Sequence, residues 1–147
     1  MSRHTNPGDD ELRELLTSAH TIAVVGASSN PDRPSNEVMR LLLDRGFHAI
    51  PVSPNETEVH GEPAYPSLDA IPEPVDIVDV FRRAEHTPAI ADEAVRIGAK
   101  VLWLQLGISS DEAAARASAG GLIVVMDKCI GQTTVRLDIR KAAPGRR

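Results

Sequence analysis

The sequence is poor in cysteine and in aromatic residues. Cys129 is its one cysteine, and its aromatic side chains are one tryptophan, one tyrosine and two phenylalanines. A single cysteine excludes an internal disulfide and a metal site built from several thiolates. It also favours a reducing compartment, so we expect a cytoplasmic protein. So few aromatic side chains leave no platform on which the bases of a nucleic acid could stack.

Positive charge and long apolar runs are scarce as well. Lys and Arg number 16 against 21 Asp and Glu, which gives a net charge of -5 at pH 7. An acidic chain is not typical of proteins that track nucleic-acid phosphates. No apolar run approaches the roughly 20 residues that span a bilayer, and residues 1–16 lack the apolar core of a signal peptide. We therefore expect neither a nucleic-acid nor a membrane partner, and only local charges decide whether a small anion binds.

Five short runs rich in β-branched residues recur at regular spacing along the chain. They predict strands over residues 21–25, 47–52, 76–81, 100–104 and 122–126. Each run is too apolar for a half-exposed antiparallel strand, and the segments between them are long enough for helices. The pattern predicts an α/β fold in three layers, with a doubly wound parallel sheet of about five strands and helices on both faces.

Helix signals lie before and between these strands. One apolar face predicts an amino-terminal helix over about residues 9–19. Pro34 is typical of a first helical turn, and Gly46 of a helix end. Residues 109–112 form a capping box before an alanine-rich helix, and a last short helix is predicted over about 133–141.

The chain is predicted to form a single domain over residues 1–147. Its core covers about residues 21–137, and about 142–147 form a flexible tail. The proline-rich stretch 53–74 has no strong period and is predicted to be an ordered excursion between two strands.

The stretch AVVGASSNPDRPS, residues 23–35, leads from the first strand into the next helix. In a doubly wound sheet this loop lies at the carboxyl edge, where ligands bind. Gly26 lets a ligand approach the backbone, and the helix start offers free amides to a phosphate. A charge-assisted hydrogen bond from Arg33 contributes about 1.5–3 kcal/mol against about 0.3–1 for the helix dipole, so Arg33 dominates. The alternative is that Gly26 only permits a tight turn.

A nicotinamide site is weakly supported. It prefers G-x-G-x-x-G and an acid at the end of the second strand. Gly26 is followed by Ala27 and Ser28, and the first acid after the second strand is Glu56, beyond the turn.

The other strand ends bring cations to the same edge. The third strand runs into Phe81, Arg82 and Arg83, and the fifth into Lys128 and Cys129. Each of these loops alone could be solvated surface, but the predicted topology brings them together beside Arg33.

Candidate catalytic and metal-binding residues are few. The five histidines are scattered without metal-ligand spacing, and neither a nucleophile elbow nor a P-loop lysine motif occurs. Cys129 follows a strand at the predicted ligand edge with Lys128 beside it, which favours a thiolate able to form a mixed disulfide. The alternative is that Cys129 is a small buried apolar side chain. We expect no catalytic residue and no metal.

Several of these pieces together carry a family resemblance. From about residue 21 to 137, the chain resembles the small stand-alone coenzyme A-binding proteins, whose Rossmann-like domain is similar to the nucleotide-binding part of acyl-coenzyme A ligases, including succinate-CoA ligase alpha subunits. The matching segments are AVVGASSNPDRPS, IPVSP at 50–54, GEPAYPSL at 61–68, VDIVDVFRR at 75–83, WLQLG at 103–107 and VMDKCI at 125–130.

The resemblance implies that coenzyme A lies across the carboxyl edge of the sheet. The residues it implies are Gly26, Ala27 and Ser28 at the pyrophosphate with Arg33 and Ser35 beside them; Val52, Ser53 and Pro54 at the adenosine; Phe81, Arg82 and Arg83 on the second side; Gln105, Leu106 and Gly107 at the pantetheine arm; and Lys128 and Cys129 after the last strand. The chain departs from the family where Ser53 replaces a common Asn and Lys128 a common Arg, which loses a two-pronged contact.

The function implied is reversible binding of coenzyme A or an acyl-CoA without catalysis. Two alternatives are an NAD(P)- or other nucleotide-dependent enzyme, and an interaction subunit of a larger acyl-transfer complex. The sequence identifies no protein partner.

Overall fold

The computed structural model describes residues 4–141, so the predicted tail at 142–147 lies outside the described residues. Five strands form one parallel sheet, in the order β2-β1-β5-β6-β7, and β3 and β4 form a separate hairpin. The strands are β1 Thr21–Val25, β2 His48–Val52, β3 Glu58–Val59, β4 Glu62–Pro63, β5 Ile77–Val80, β6 Val101–Leu104 and β7 Ile123–Val125. The five predicted strands are thus confirmed, each within one residue at either end.

Helices lie before β1, between β1 and β2, between β5 and β6, between β6 and β7, and after β7. They are α1 Asp9–Ser18, α2 Pro34–Asp44, α3 Thr87–Arg96, α4 Asp111–Ala119 and α5 Ile130–Arg136. Pro34 is the first residue of α2, as predicted. The α4 cap is Ser110, whose side chain accepts from the Ala113 amide; the reciprocal half of the predicted capping box does not form, since Ala113 occupies its position.

The last helix differs from its prediction over 133–141. It begins at Ile130 and ends at Arg136. Its second residue, Gly131, packs against α2: an added Cβ there would lie 3.5 Å from a Val38 methyl group. That is an ordinary van der Waals distance, so the packing leaves room for a Cβ and does not by itself require glycine, which lowers intrinsic helix propensity.

Two apolar layers cover the two faces of the sheet. One contains residues of α1, α2 and α5, with Trp103 at its centre, and the other contains residues of α3 and α4. Each sheet strand is buried along nearly its whole length, as a sheet covered on both faces requires. The predicted three-layer, Rossmann-like α/β fold is confirmed.

The proline-rich excursion is ordered and closes the β2 edge of the sheet. The Ser53 amide donates to the Tyr65 carbonyl at 2.9 Å, and the Tyr65 amide donates to the Pro51 carbonyl at 3.0 Å. The hairpin is held to the start of α2, because His60 Nε2 donates to the Asn36 carbonyl at 2.8 Å. The excursion therefore lies beside the loop after β1.

The opposite edge is covered by one side chain from the amino-terminal segment. Asn6 Nδ2 donates to the Met126 carbonyl at 2.7 Å, and Asn6 Oδ1 accepts from the Met126 amide at 2.9 Å. The side chain thus pairs with backbone groups just past β7 as a neighbouring strand would.

Candidate functional site

A cleft of about 970 Å³ opens at the carboxyl ends of the sheet strands. The strand order reverses between β1 and β5: the chain passes from β1 to β2 on one side and continues through β5 on the other. Ligands of doubly wound sheets bind at such a reversal. Here Gly26 after β1 meets Phe81 and Arg82 after β5.

Most of the predicted site residues come together in this cleft. Those that line it are Gly26, Ala27, Ser28, Arg33, Ser35, Val52, Ser53, Pro54, Phe81, Arg82, Arg83, Gln105, Leu106 and Cys129. They come from five strand ends that are far apart in the sequence, and the parallel topology brings those ends to one edge.

The glycine loop is open toward the cleft. Gly26 has a φ of 90°, a conformation that side-chain-bearing residues rarely adopt, and its amide donates to the Val52 carbonyl at 2.9 Å. The Ser28 carbonyl accepts from Asn36 Nδ2 at 2.9 Å, which fixes the loop to α2. The first turn of α2 has no side-chain cap from Arg33, its N-cap residue. The amides of this turn are therefore not capped by Arg33, although the turn also carries the acidic Glu37.

Three arginines of the cleft have no internal acidic partner. Within residues 4–141, Arg33, Arg82 and Arg83 form no ion pair, whereas Arg45, Arg96, Arg116, Arg136 and Arg140 each pair with a carboxylate. Three glutamates also line the cleft, namely Glu37, Glu56 and Glu93. The three guanidinium groups are thus available to an external anion. The nearby glutamates repel negative charge and so limit which anions bind.

The far end of the cleft is less charged. Gln105 is 5% exposed, and its Oε1 accepts from the Ile130 amide at 3.0 Å. Because the amide oxygen must face that donor, the Gln105 Nε2 group is the part left for other partners. Leu106 is 63% exposed, and the half-buried Cys129 also lines this end. Such a surface suits a chain with apolar and amide groups.

Gly107 and Lys128 do not line the cleft, although the sequence placed them in the site. The Gly107 amide donates to Asp127 Oδ1 at 2.7 Å, so the β6–α4 loop bonds to the next loop. The pKa of Asp9 is lowered, first by its hydrogen bond from Arg136 and in smaller part by the charge of Lys128. That interaction places the Lys128 charge near the start of α1.

Several lining residues were missed by sequence reasoning. Asn55, Glu56, Ser67 and Leu68 come from the excursion, and the others include Glu37, Val38, His86, Ile90, Glu93, Ile108 and Gln132. The excursion residues follow or fall inside segments quoted for the family resemblance, which is the one signal that could have found them. The rest depend on how helices α2, α3 and α5 pack.

One strongly perturbed acid lies outside the cleft. Asp79 is fully buried at the centre of β5, beside Val24 and Trp103 on the neighbouring strands. Neither carboxylate oxygen has a hydrogen-bond partner within residues 4–141, and burial raises the Asp79 pKa well above its usual range. Asp79 sits in the apolar layer rather than on the lining, so it does not reach a ligand in the cleft.

The part of the chain that the structure describes gives no sign of a metal centre or a membrane span. It holds no cluster of three His, Cys, Asp or Glu side chains suited to a metal ion. Its helices are too short or too polar to cross a bilayer.

The sequence profile of the family described as "CoA binding domain" matches residues 20–134. The chain belongs to this family. The matched residues include β1, the glycine loop, the whole excursion and the loops after β5, β6 and β7, so the family match covers all elements that build the cleft.

Relatives of similar size share most of the chain. The "Uncharacterized protein YneT" of Bacillus subtilis is 42% identical over 125 residues, which cover 85% of this chain and 93% of the relative. A solved structure of a hypothetical protein from Pyrococcus horikoshii is 37% identical, has a TM-score of 0.88, and is covered over 99% of its length. This domain of the family therefore occurs in other proteins of nearly the same length.

Larger relatives contain a similar domain as a small part. The ADP-forming acetate–CoA ligase I of Archaeoglobus fulgidus is 32% identical over 83 residues, which are 56% of this chain but 12% of the ligase. A solved dinucleotide-forming acetyl-coenzyme A synthetase from Ca. Korarchaeum cryptofilum has a TM-score of 0.69 at 25% identity, and this chain covers 27% of it. The chain thus corresponds to one domain of these ligases.

Proposed function

We propose that this protein binds coenzyme A or an acyl-CoA reversibly in the carboxyl-edge cleft, without catalysis of its own. The observation that carries the proposal is that Arg33, Arg82 and Arg83 line one cleft with the open loop at Gly26, and that none of the three forms an ion pair in the described part of the chain. Guanidinium groups and backbone amides are the donors that bind phosphates. Membership of the coenzyme A-binding family names the phosphorylated ligand that this combination would take.

The chemistry of the lining suggests how the ligand lies. The pyrophosphate would rest against Gly26–Ser28 and Arg33, and the adenosine against Val52, Ser53 and Pro54. The pantetheine arm would run toward Gln105 and Leu106, where an amide group and an exposed apolar side chain match its own amides and methylenes. The cleft is more charged at the glycine loop and less charged at Gln105 and Leu106. A ligand with a phosphorylated head and a less polar arm matches both ends, whereas an isolated phosphate matches only one.

The arginines are expected to contribute more to the free energy of ligand binding than the start of α2 does. Hydrogen bonds to charged groups contribute about 1.5–3 kcal/mol each, while a helix dipole contributes about 0.3–1 kcal/mol. The glutamates in the lining oppose indiscriminate binding of polyanions. The expected ligand is therefore one whose phosphates are positioned by the rest of the molecule.

Titration calorimetry against coenzyme A, dephospho-coenzyme A, NAD, NADP and ATP tests the proposal. We expect saturable binding of coenzyme A, weaker binding of ATP, and no binding of NAD or NADP at the same concentrations. Tighter binding of a nicotinamide dinucleotide than of coenzyme A would contradict the proposal and support the enzyme alternative.

The proposed lack of catalysis has its own test. The protein is incubated with acetyl-CoA, alone and with ADP and phosphate, and free thiol is measured over time. We expect release no faster than in buffer. Turnover that rises in proportion to protein concentration would contradict the binding-only proposal while leaving coenzyme A binding intact.

A further inference from the structure

The glycine loop is in contact with an acid from the excursion. Glu56 Oε2 accepts from the Ser29 amide at 2.9 Å and from the Ser29 hydroxyl at 3.1 Å. Both donors belong to the loop that follows Gly26, and Glu56 itself lines the cleft. A carboxylate from the excursion is therefore anchored on the loop after β1, one residue beyond Ser28 of the cleft lining.

The position of this acid is set by its backbone. The Asn55 amide donates to Ser53 Oγ at 3.1 Å, and the Ser53 amide is bonded to Tyr65. These bonds hold the turn after β2, so the side chain of Glu56 projects from a fixed turn. Glu56 is partly buried and pairs with Ser29 although Arg33, Arg82 and Arg83 line the same cleft.

We infer that Glu56 is a specificity-determining residue that selects against phosphate charge at the adenosine end of the cleft. The inference rests on the proposed function. Glu56 follows Ser53 and Pro54, the residues proposed to flank adenosine, so its charge opposes a phosphate on the ribose. A ligand with fewer negative charges at the adenosine end therefore binds more tightly, relative to one with more, than it would without Glu56.

Glutamine separates the charge from the hydrogen bonds. In Glu56→Gln the side-chain oxygen still accepts from Ser29, so the loop keeps its geometry and only the negative charge is lost. The matched control is Glu58→Gln, the same charge change on exposed β3 outside the cleft lining. Coenzyme A and dephospho-coenzyme A are the paired probes, because they differ by the ribose phosphate.

Titration calorimetry at low and high salt on wild type and both variants tests the inference. We expect Glu56→Gln to bind coenzyme A about three- to tenfold more tightly at low ionic strength, dephospho-coenzyme A less so, and the gain to shrink in high salt because charges near solvent are screened. Glu58→Gln is expected to match wild type for both ligands.

Each other outcome has a definite meaning. If wild type binds coenzyme A but Glu56→Gln binds it equally or more weakly, the inference is overturned and Glu56 serves the loop or contacts a ligand hydroxyl. An equal gain for the two probes also overturns it. If wild type binds neither probe, the proposed function fails and the inference fails with it.

Discussion

An added Cβ at Gly26 would lie 3.3 Å from Cδ of Arg82 and 3.4 Å from the Phe81 carbonyl carbon. The loops after β1 and β5 thus touch through a residue that has no side chain. A Cβ at this position requires the Arg82 side chain to shift by a few tenths of an ångström, so the backbone of one loop and the cation of the other are coupled.

Replacing Gly26 with alanine is therefore expected to weaken coenzyme A binding at least tenfold. The substitution also strains a backbone with a φ of 90°, which costs about 1–3 kcal/mol of stability. Gly98→Ala is the control, because Gly98 has a φ of 77° with no atom within 4 Å of an added Cβ and lies outside the cleft. Calorimetry and thermal unfolding on both variants separate strain from obstruction. Equal affinity in the two variants would refute the close-approach role of Gly26.

Arg33 is exposed and forms no ion pair with the residues that the structure describes, so its contribution is expected in binding rather than in folding. Arg33→Ala should weaken coenzyme A by about 1.5–3 kcal/mol, or about ten- to more than a hundredfold, with little change in Tm. Arg40→Ala is the matched control, since Arg40 is exposed on the same helix, lies outside the cleft lining and forms no ion pair within residues 4–141. An unchanged affinity in Arg33→Ala would remove this arginine from the site, and a large fall in Tm would assign it to the fold.

Because of Asp79, the free energy of unfolding is expected to fall as the pH rises. Its folded-state pKa is raised by burial, so the folded protein keeps a proton that the unfolded chain releases above about pH 4. The neutral Asp79 side chain contributes its full share to the free energy of unfolding at pH values below the Asp79 pKa of the unfolded chain. As the pH rises from there toward the pKa of the folded protein, the free energy of unfolding falls by up to about 1.4 kcal/mol per pH unit. Asp79→Asn should flatten this slope in urea unfolding measured from pH 4.5 to 8.

A second acid gives the opposite sign and serves as the control. Its hydrogen bond from Arg96 lowers the pKa of Asp69, so Asp69 supports folding above its unfolded pKa and loses that effect as pH falls. Asp69→Asn is expected to leave the fall in stability at rising pH unchanged. A slope in Asp79→Asn equal to that of wild type would mean that Asp79 is ionised in the folded protein.

The parallel sheet could be predicted from sequence because its strands are buried on both faces. Residues 21–25 carry an uninterrupted apolar, β-branched run, and the predicted strand matches β1 at both ends. The start of β2 was predicted one residue early, because the Phe47 amide donates to the Leu42 carbonyl and closes the end of α2. The local pattern of apolar residues thus determines where strands occur, while hydrogen bonds to neighbouring elements determine the residues at which they begin and end.

The cleft could be predicted only as far as topology determines it. Loops that leave parallel strands meet at one edge, which brought Arg33 and Arg82 together without further information. Glu56 reaches the cleft through the fold of a proline-rich excursion that has no period. Lys128 does not line it, although the next residue along the chain, Cys129, does. Such side-chain directions depend on contacts between distant segments, which a single sequence does not encode in any local pattern.

Trp103 is fully buried, and its indole Nε1 donates to the Lys128 carbonyl at 2.9 Å. That carbonyl immediately precedes Cys129 in the cleft lining. Since the chain has one tryptophan, all of its tryptophan emission comes from a single side chain that is bonded to the rim of the cleft. A shift in tryptophan fluorescence when a compound is added therefore reports binding at the cleft, and no dye has to be attached to the protein.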